Sequence, residues 1–270
     1  MSGIDSDWLQ RARQRADAAP VRPRVGLDLE QTGSRHRIGS IEPRIAARIA
    51  AAGLPLRCGA DACCITAPTE ASLSAIARWL HAEGIASHWR DELLAVVDVD
   101  GHALGAIERG VVRVLGLATE AVHLIGHEPS GRTWVQLRAA TKSTDPGRWD
   151  TLMGGQVAAG ESIDATLARE TMEEAGLAIA ELHELERSTP IVLRRPVREG
   201  YMVERIEVFR AVVADGVLPI NRDGEVDRFE CLADADLVRR LAADEFTLEA
   251  TLILGAELER RGVVRAAPPL

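Results

Sequence analysis

Lysine is almost missing from this chain: among 270 residues Lys142 is the only one, and the other basic side chains are arginine. Such a bias usually reflects a GC-rich genome rather than protein physics, but it makes the place of Lys142 worth following. Positive charge is also in deficit, with a formal net charge of −9. That balance argues against a general nucleic-acid-binding surface, because phosphate backbones select basic patches. It leaves room for a locally basic pocket around a small phosphorylated ligand. Long apolar runs are lacking too, and none approaches the roughly 20 residues of a membrane span. The opening MSGIDSDWLQRARQRADA has no signal-peptide core. Its Arg-rich, helical look suggests an organelle transit peptide, against which stand Asp5, Asp7 and Asp17. A cytoplasmic protein with neither membrane nor nucleic-acid partners is expected. Cysteine is sparse: Cys58, Cys63, Cys64 and Cys231 show no CxxC spacing. Adjacent Cys63-Cys64 fits a buried strand of small hydrophobes better than a zinc site or a disulfide framework.

What the chain does have is concentrated in residues 154–177, GGQVAAGESIDATLARETMEEAGL. Ser162 is a suitable N-cap, Ile163 to Ala175 contain no Pro or Gly, and Gly176 stands where a left-handed cap ends a helix. At about 100° per residue, Ile163, Leu167, Glu170 and Glu174 project from one side. An apolar, inward-facing stripe thus becomes a pair of carboxylates in its last turn. Like charges at i,i+4 destabilise a helix by a few tenths of a kcal/mol, and by more when partly buried. A bound divalent cation would turn that penalty into affinity, and hard oxygen ligands suit Mg²⁺ or Mn²⁺. A solvated acidic face is the plainer alternative.

The segment resembles the Nudix box, in which Gly is followed after five residues by Glu, and after seven more by Arg-Glu-apolar-x-Glu-Glu-x-Gly-apolar. Gly155, Glu161, Arg169, Glu170, Glu173, Glu174, Gly176 and Leu177 match, and Thr171 alone departs, at a usually aliphatic position. Its size and β-branching predict an adjusted core contact rather than lost chemistry. The resemblance implies an α/β/α sandwich with a mixed sheet and hydrolysis of a diphosphate linked to another moiety. Carried over by position, Glu170 and Glu174 are the main metal ligands, Glu173 is a further ligand or water contact, and the Gly154 carbonyl contributes. Arg169 pairs with Glu161 to pin the loop to the helix. The general base is drawn from the box helix or from a distal loop; Glu225 in RDGEVDRF is the best distal candidate and Glu207 a second.

Organisation along the chain is consistent with two parts. Residues 1–117 form a leader block, with helices over Asp7 to Ala18, from Ile41 through EPRIAARIAAAG with Pro43 early and Gly53 as its stop, and over EASLSAIARWLHAEG, capped by Thr69 and ending at Gly84. Strands are expected at Cys63 to Ala67 and at LLAVV, before a turn at Asp100-Gly101. The segment between the first two helices shows no clear periodicity, and Ala103 to Leu117 reads as a connecting helix. From residue 118 to 270 the period changes. AVHLIGHE and TWVQLRAAT alternate as strands around Pro129-Ser130-Gly131, MVERIEVFRAVVA is a strong strand, and ADLVRRLAADEF and LEATLILGAELERRG close the chain as helices. The layout suits an α/β (α+β) class: the sandwich preceded by a small α+β domain.

Arg138 and Lys142 lie at a strand end and loop start before the metal loop, placed to meet a diphosphate by fork and by point charge. Trp149 suits either stacking on a substrate ring or packing. His123 and His127, evenly spaced on one strand face, read as structural. The leader together with AVHLIGHE, RAATK and DPGRWDTLMGG is similar to a Nudix subfamily associated with thiamine pyrophosphokinase. That similarity implies thiamine diphosphate or its oxo and oxy forms as substrate, cleaved to the monophosphate; composition and spacing say nothing of thiamine. ADP-ribose, a dinucleotide or another nucleoside diphosphate derivative is the alternative with the same chemistry. An isopentenyl-diphosphate-isomerase-like activity relies on a cysteine near the start of the fold, where none stands, and a non-catalytic ligand sensor often loses box glutamates, which here are all kept. Two roles stay open for the leader, covering the pocket or forming a homodimer surface.

Overall fold

A computed structural model describes residues 6–265; residues 1–5, the start of the polar N-terminal segment, lie outside the described residues. Helix α1 (Asp7–Ala16) buries Trp8, Leu9, Ala12 and Ala16. These side chains join the core of the second half of the chain rather than that of the leader. The leader proper starts with β1 (Val25–Gln31) and β2 (Ser34–Ile41), an antiparallel hairpin. Then come α2 (Pro43–Ala51), β3 (Leu56–Cys58), β4 (Ala62–Ile65) and α3 (Thr69–Ala82). The strands form a sheet in the order β2-β1-β4-β3, with β4 parallel to β1. A second hairpin, β5 (Leu93–Val97) with β6 (Ala103–Glu108), packs on α3, and a 3-10 turn follows at Arg109–Val111. The leader core runs from Leu27 to Leu117 and is filled by fully buried Leu29, Ile49, Ile65, Leu73, Ile76 and Leu80. Burying each such side chain contributes about 1.5–3 kcal/mol.

Three expectations for this half are corrected. Residues 25–41, without evident periodicity in a Pro- and Arg-rich context, form a hairpin. Thr32 (φ 49°) and Gly33 (φ 80°) supply the two positive φ values of a type I′ turn. Residues 103–108 are a strand, not a helix. Gly101 closes the turn, and Gly105, whose added Cβ would lie 3.1 Å from Leu73 Cδ1, lets the strand lie close on α3. Finally, Cys58 and Cys63 are disulfide-bonded, because the β3–β4 register sets them directly opposite, with Cα atoms 4.0 Å apart. Cys64 stays free and buried as expected, and Cys231 is free and half-buried.

The second half is built on β7 (Ala118–His127), β8 (Thr133–Arg138), β9 (Trp149–Asp150) and β10 (Met153–Gln156). Helix α4 (Ile163–Ala175) follows, then β11 (Leu182–Arg187), β12 (Ile191–Val197), β13 (Gly200–Val213) and β14 (Val226–Leu232). Helices α5 (Asp234–Ala242) and α6 (Leu248–Arg260) end the fold. The sheet order is β11-β13-β7-β8-β14, with β13 parallel to β7 and β8 antiparallel to it, so the sheet is mixed. Period-two alternation sorts the side chains to two faces. Ala121 and Ile125 of β7 and Ile206 and Val208 of β13 meet α1, α5 and α6. Val122, Leu124, Phe209 and Ala211 meet α4 through Leu167 and Ala175. The result is the expected α/β/α sandwich, with an α+β region before it. Among the described residues, no helix is long and apolar enough to cross a membrane.

Candidate active site

Helix α4 begins and ends where its capping residues predict. Ser162 Oγ accepts from Ala165 N at 3.2 Å, and Gly176 adopts φ 67° while its N–H caps the last turn. The cap serves a second purpose. A Cβ on Gly176 would lie 2.5 Å from the Ile220 carbonyl oxygen. The close approach lets the 219–225 loop bond to the helix end, Ile220 N to Ala175 O at 2.8 Å and Arg222 N to Glu173 O at 3.1 Å. At the other end of that loop, Ala139 N donates to Glu225 O at 2.9 Å. Asn221 Oδ1 accepts from Gly224 N at 2.9 Å, holding the turn. Residues separated by half the domain are thereby brought beside the box helix.

Glu174 is 1% exposed and its orientation is fixed from three sides. Gln136 Nε2 donates to it at 2.9 Å, Gly154 N at 3.0 Å and Lys142 Nζ at 3.3 Å. Lys142 also pairs with Glu225, so one ammonium bridges the buried and the exposed carboxylate. Ligand oxygens of Glu174, Asp223 and Glu225 all lie within 4.8 Å of one another. Glu170 packs against the glycine turn: a Cβ on Gly155 would fall 2.0 Å from Glu170 Cδ. Burial, with the Glu174 charge beside it, pushes the Glu170 carboxyl up to about 7. Burial likewise raises Asp223.

The other side of the helix start behaves oppositely. Arg169 forks onto Glu161 at 2.9 and 2.8 Å, and that bidentate contact holds the Glu161 carboxyl at about 2. The same guanidinium donates to Glu170 at 2.8 Å and to Glu173 at 3.1 Å. Glu173 is therefore turned toward Arg169 and remains 46% exposed in its side chain. Thr171 is fully buried, with its hydroxyl lacking a partner, and takes the apolar position by shape alone.

The remaining candidates separate into two groups. Arg138 lines the cavity over this site, but its guanidinium is engaged by Asp150 at 3.0 Å and by the Thr144 carbonyl at 2.9 Å. Trp149 is a core residue, which corrects the stacking assignment. It is 6% exposed, packs beside Phe246 at 6.4 Å between ring centroids, and lies between Arg228 and Arg240. Glu207 is buried under Arg187 and Arg205. His123, bonded to Thr151 Oγ1 at 2.8 Å, is a satisfied structural histidine, and His127 holds its buried Nε2 3.3 Å from Glu257 but without a hydrogen bond. Gln136 and Asp223 were not anticipated. Asp223 could have been suspected from the Asn-Arg-Asp-Gly-Glu turn, whereas nothing local marks Gln136.

A cavity of about 190 Å³ opens over the glycine turn and Glu225. The leader contributes Arg90, Arg109 and Arg113 to its lining. The residues present fit a hard divalent cation. They offer clustered carboxylate oxygens, that of Glu174 on a buried side chain, and an ammonium already stands between Glu174 and Glu225 as a positive charge of the molecule's own.

Residues 118–251 match the family model described as the NUDIX domain. This part of the chain is a Nudix domain, close to half of its length. An uncharacterized Nudix hydrolase of Streptomyces coelicolor is 40% identical over 86 residues, 32% of this chain and 48% of that protein. Nudix hydrolase 24, chloroplastic, of Arabidopsis thaliana is 28% identical over 204 residues, covering 69% of this chain and 53% of that one. The chain thus spans about half the length of the curated relatives it matches. A crystal structure of a Deinococcus radiodurans protein is 25% identical, covering 63% of this chain and 98% of that chain, with a TM-score of 0.49.

Proposed function

We propose that the chain is a Mg²⁺- or Mn²⁺-dependent Nudix hydrolase that cleaves a diphosphate linked to another moiety. One observation carries this reading: Glu170 and Glu174 are packed side by side beneath the Gly154–Gly155 turn, with a cationic group bridging Glu174 to Glu225. Adjacent buried carboxylates are costly unless a cation satisfies them. Glu170 and Glu174 would hold the metal, with Glu173, Asp223 and the Gly154 carbonyl as further oxygen donors. When bound, it would neutralise phosphoryl oxygens and acidify a water molecule. Glu225, half-exposed at the cavity, is proposed to take the proton of the attacking water. Water adds to phosphorus, the anhydride P–O bond breaks, and the leaving phosphate departs as the oxyanion. Lys142 supplies positive charge next to the diphosphate, and Arg138 fixes the loop through Thr144.

For the substrate, thiamine diphosphate and its oxo and oxy forms remain the first class, from the likeness of the leader and its flanks. The leader arginines refine it: fixed positive charge on a thiazolium ring is disfavoured beside them. Oxothiamine diphosphate, whose ring carries no fixed charge, fits better than the thiazolium forms. The same arginines favour ADP-ribose or a dinucleotide as the second reading. The test is Mg²⁺-dependent anhydride cleavage, read as inorganic phosphate from thiamine diphosphate and its oxo and oxy forms and as AMP from ADP-ribose and NADH. Glu174→Gln should abolish it with the fold intact; unchanged turnover would sink the metal assignment. Cleavage of the nucleotides alone would reject the thiamine class.

A further inference from the structure

We propose that the leader block completes the substrate site, with Arg113, beside Arg109 and Arg90, forming an anion-binding wall for the diphosphate in the cavity that the Gly154–Gly155 turn and Glu225 also line. The proposal rests on the hydrolase reading above for which anion is bound, but its geometry is independent of it. Arg90, Arg109 and Arg113 line the same cavity as Gly154, Gly155 and Glu225. They also line a contiguous hollow of about 70 Å³ that shares Gln156 and Ser143. Arg109 is paired with Glu92 at 2.6 Å, and Arg90 Nη2 donates to Ser143 Oγ at 2.6 Å. Arg113 is half-buried, and its guanidinium has no hydrogen bond or ion pair with any described residue. A cation in that setting ordinarily acquires a partner, and the open side here is the cavity. Four of the five acids of the same lining are already engaged: Asp150 by Arg138, Glu225 by Lys142, Glu249 by Arg195, and Glu204 by Gln156 and Thr119; the fifth, Asp145, makes no ion pair with Arg113.

The arginine is held in place by its backbone. Tyr201 N donates to Arg113 O at 2.9 Å. At Gly200 (φ 152°) an added Cβ would lie 2.2 Å from that oxygen, so the leader turn and the β12–β13 hairpin touch through glycine. Ala159 N, in the loop before α4, donates to Leu93 O of β5 at 2.8 Å. The leader is thus fastened both to the box loop and to the sheet, which fixes where the arginines face. A planar guanidinium with all its donors free suits the oxygens of a phosphate or diphosphate.

Isothermal titration of inorganic pyrophosphate into the full chain in EDTA at low salt tests this without turnover. Wild type should bind, Arg113→Gln should weaken binding by about tenfold or more, and Arg113→Lys should fall between. Thermal melting confirms that each variant folds. Glu174→Gln should leave pyrophosphate affinity within about threefold, because the carboxylates do not hold the anion in the absence of metal. An unchanged Kd in Arg113→Gln, or no binding by wild type, overturns the proposal. In the Mg²⁺ assay, Arg113→Gln should raise KM for the best diphosphate more than it lowers kcat. If wild type turns over none of the diphosphates while Arg113→Gln loses pyrophosphate, the hydrolase reading falls and the anion wall stands.

Discussion

The two sides of the cavity are prepared in opposite ways. On the floor, Glu174 is buried and fixed by Gln136, Gly154 and Lys142, and Glu170 is wedged against Gly155. On the leader side, Arg113 is fixed by its backbone while its guanidinium has no partner among the described residues. Carboxylates meant for a small, strongly hydrated ion gain from rigid convergence, because each must arrive at one point. Arginines facing a larger, rotatable anion gain from adaptable side chains on a fixed support. The floor therefore carries its electrostatic cost before any ligand arrives, and the wall carries little.

Changes to the core on the sheet face away from α4 should have the largest effect. Trp149→Ala removes a core indole packed between two guanidinium groups and should cost about 3–5 kcal/mol of unfolding free energy in a denaturant titration. A variant of normal stability with only a raised KM would instead return Trp149 to the substrate.

The floor's cost should also be visible as a pH dependence. Glu170 is held at about 7 in the fold against an ordinary 4.5. Between those values the native state keeps a proton that the unfolded chain has released. Stability therefore falls as pH rises through this window, by up to about 3 kcal/mol for an isolated group. In EDTA the protein should melt at a lower temperature at pH 8 than at pH 5.5, with the slope flattened in Glu170→Gln and the loss reversed by Mg²⁺. Glu161 and Glu257, both held at about 2, stay ionised throughout and add almost no slope. An EDTA melt with the same pH slope in Glu170→Gln would assign the effect elsewhere.

Smaller effects should separate position from charge. Gly155→Ala keeps every carboxylate but forces Glu170 from its seat, and kcat/KM should fall about 100-fold, close to 2.7 kcal/mol, with melting little changed. Glu161→Gln breaks only the fork to a partly exposed Arg169 and should cost about 1–2 kcal/mol in stability. Activity in that variant should fall less than in Gly155→Ala, and a reversed order in the same assay would show that the clasp, not the glycine seat, positions Glu170.

Much of the floor was legible in the sequence because it is local. Ser162, the uninterrupted run to Ala175, and Gly176 specify α4 to the residue, and helical spacing puts Glu170 and Glu174 on the buried side. The rest depends on contacts distant in sequence. Gln136 and Asp223 reach Glu174 only through the fold, the first along β8 and the second through a loop tied to the helix end. The arginine wall lies in a segment whose alternation competes with a helical reading, and the strand at 103–108 prevails because Gly105 allows it to pack on α3. Cys58 and Cys63 are joined by a strand register that no spacing rule announces. The position of α1, separated from the leader and packed on α6, likewise follows from burial rather than from chain order.

Lys142 gives the molecule an unusual chemical handle. Because it is the only lysine in 270 residues, it carries the only ε-amine, and that amine stands on the cavity floor. An acylating or reductive-methylation reagent would therefore address one internal position, slowly while two carboxylates engage the amine. A cation or a diphosphate that rearranges those partners changes the amine's reactivity. The rate of labelling at a single residue, read by intact mass, would report ligand occupancy without any substrate being turned over.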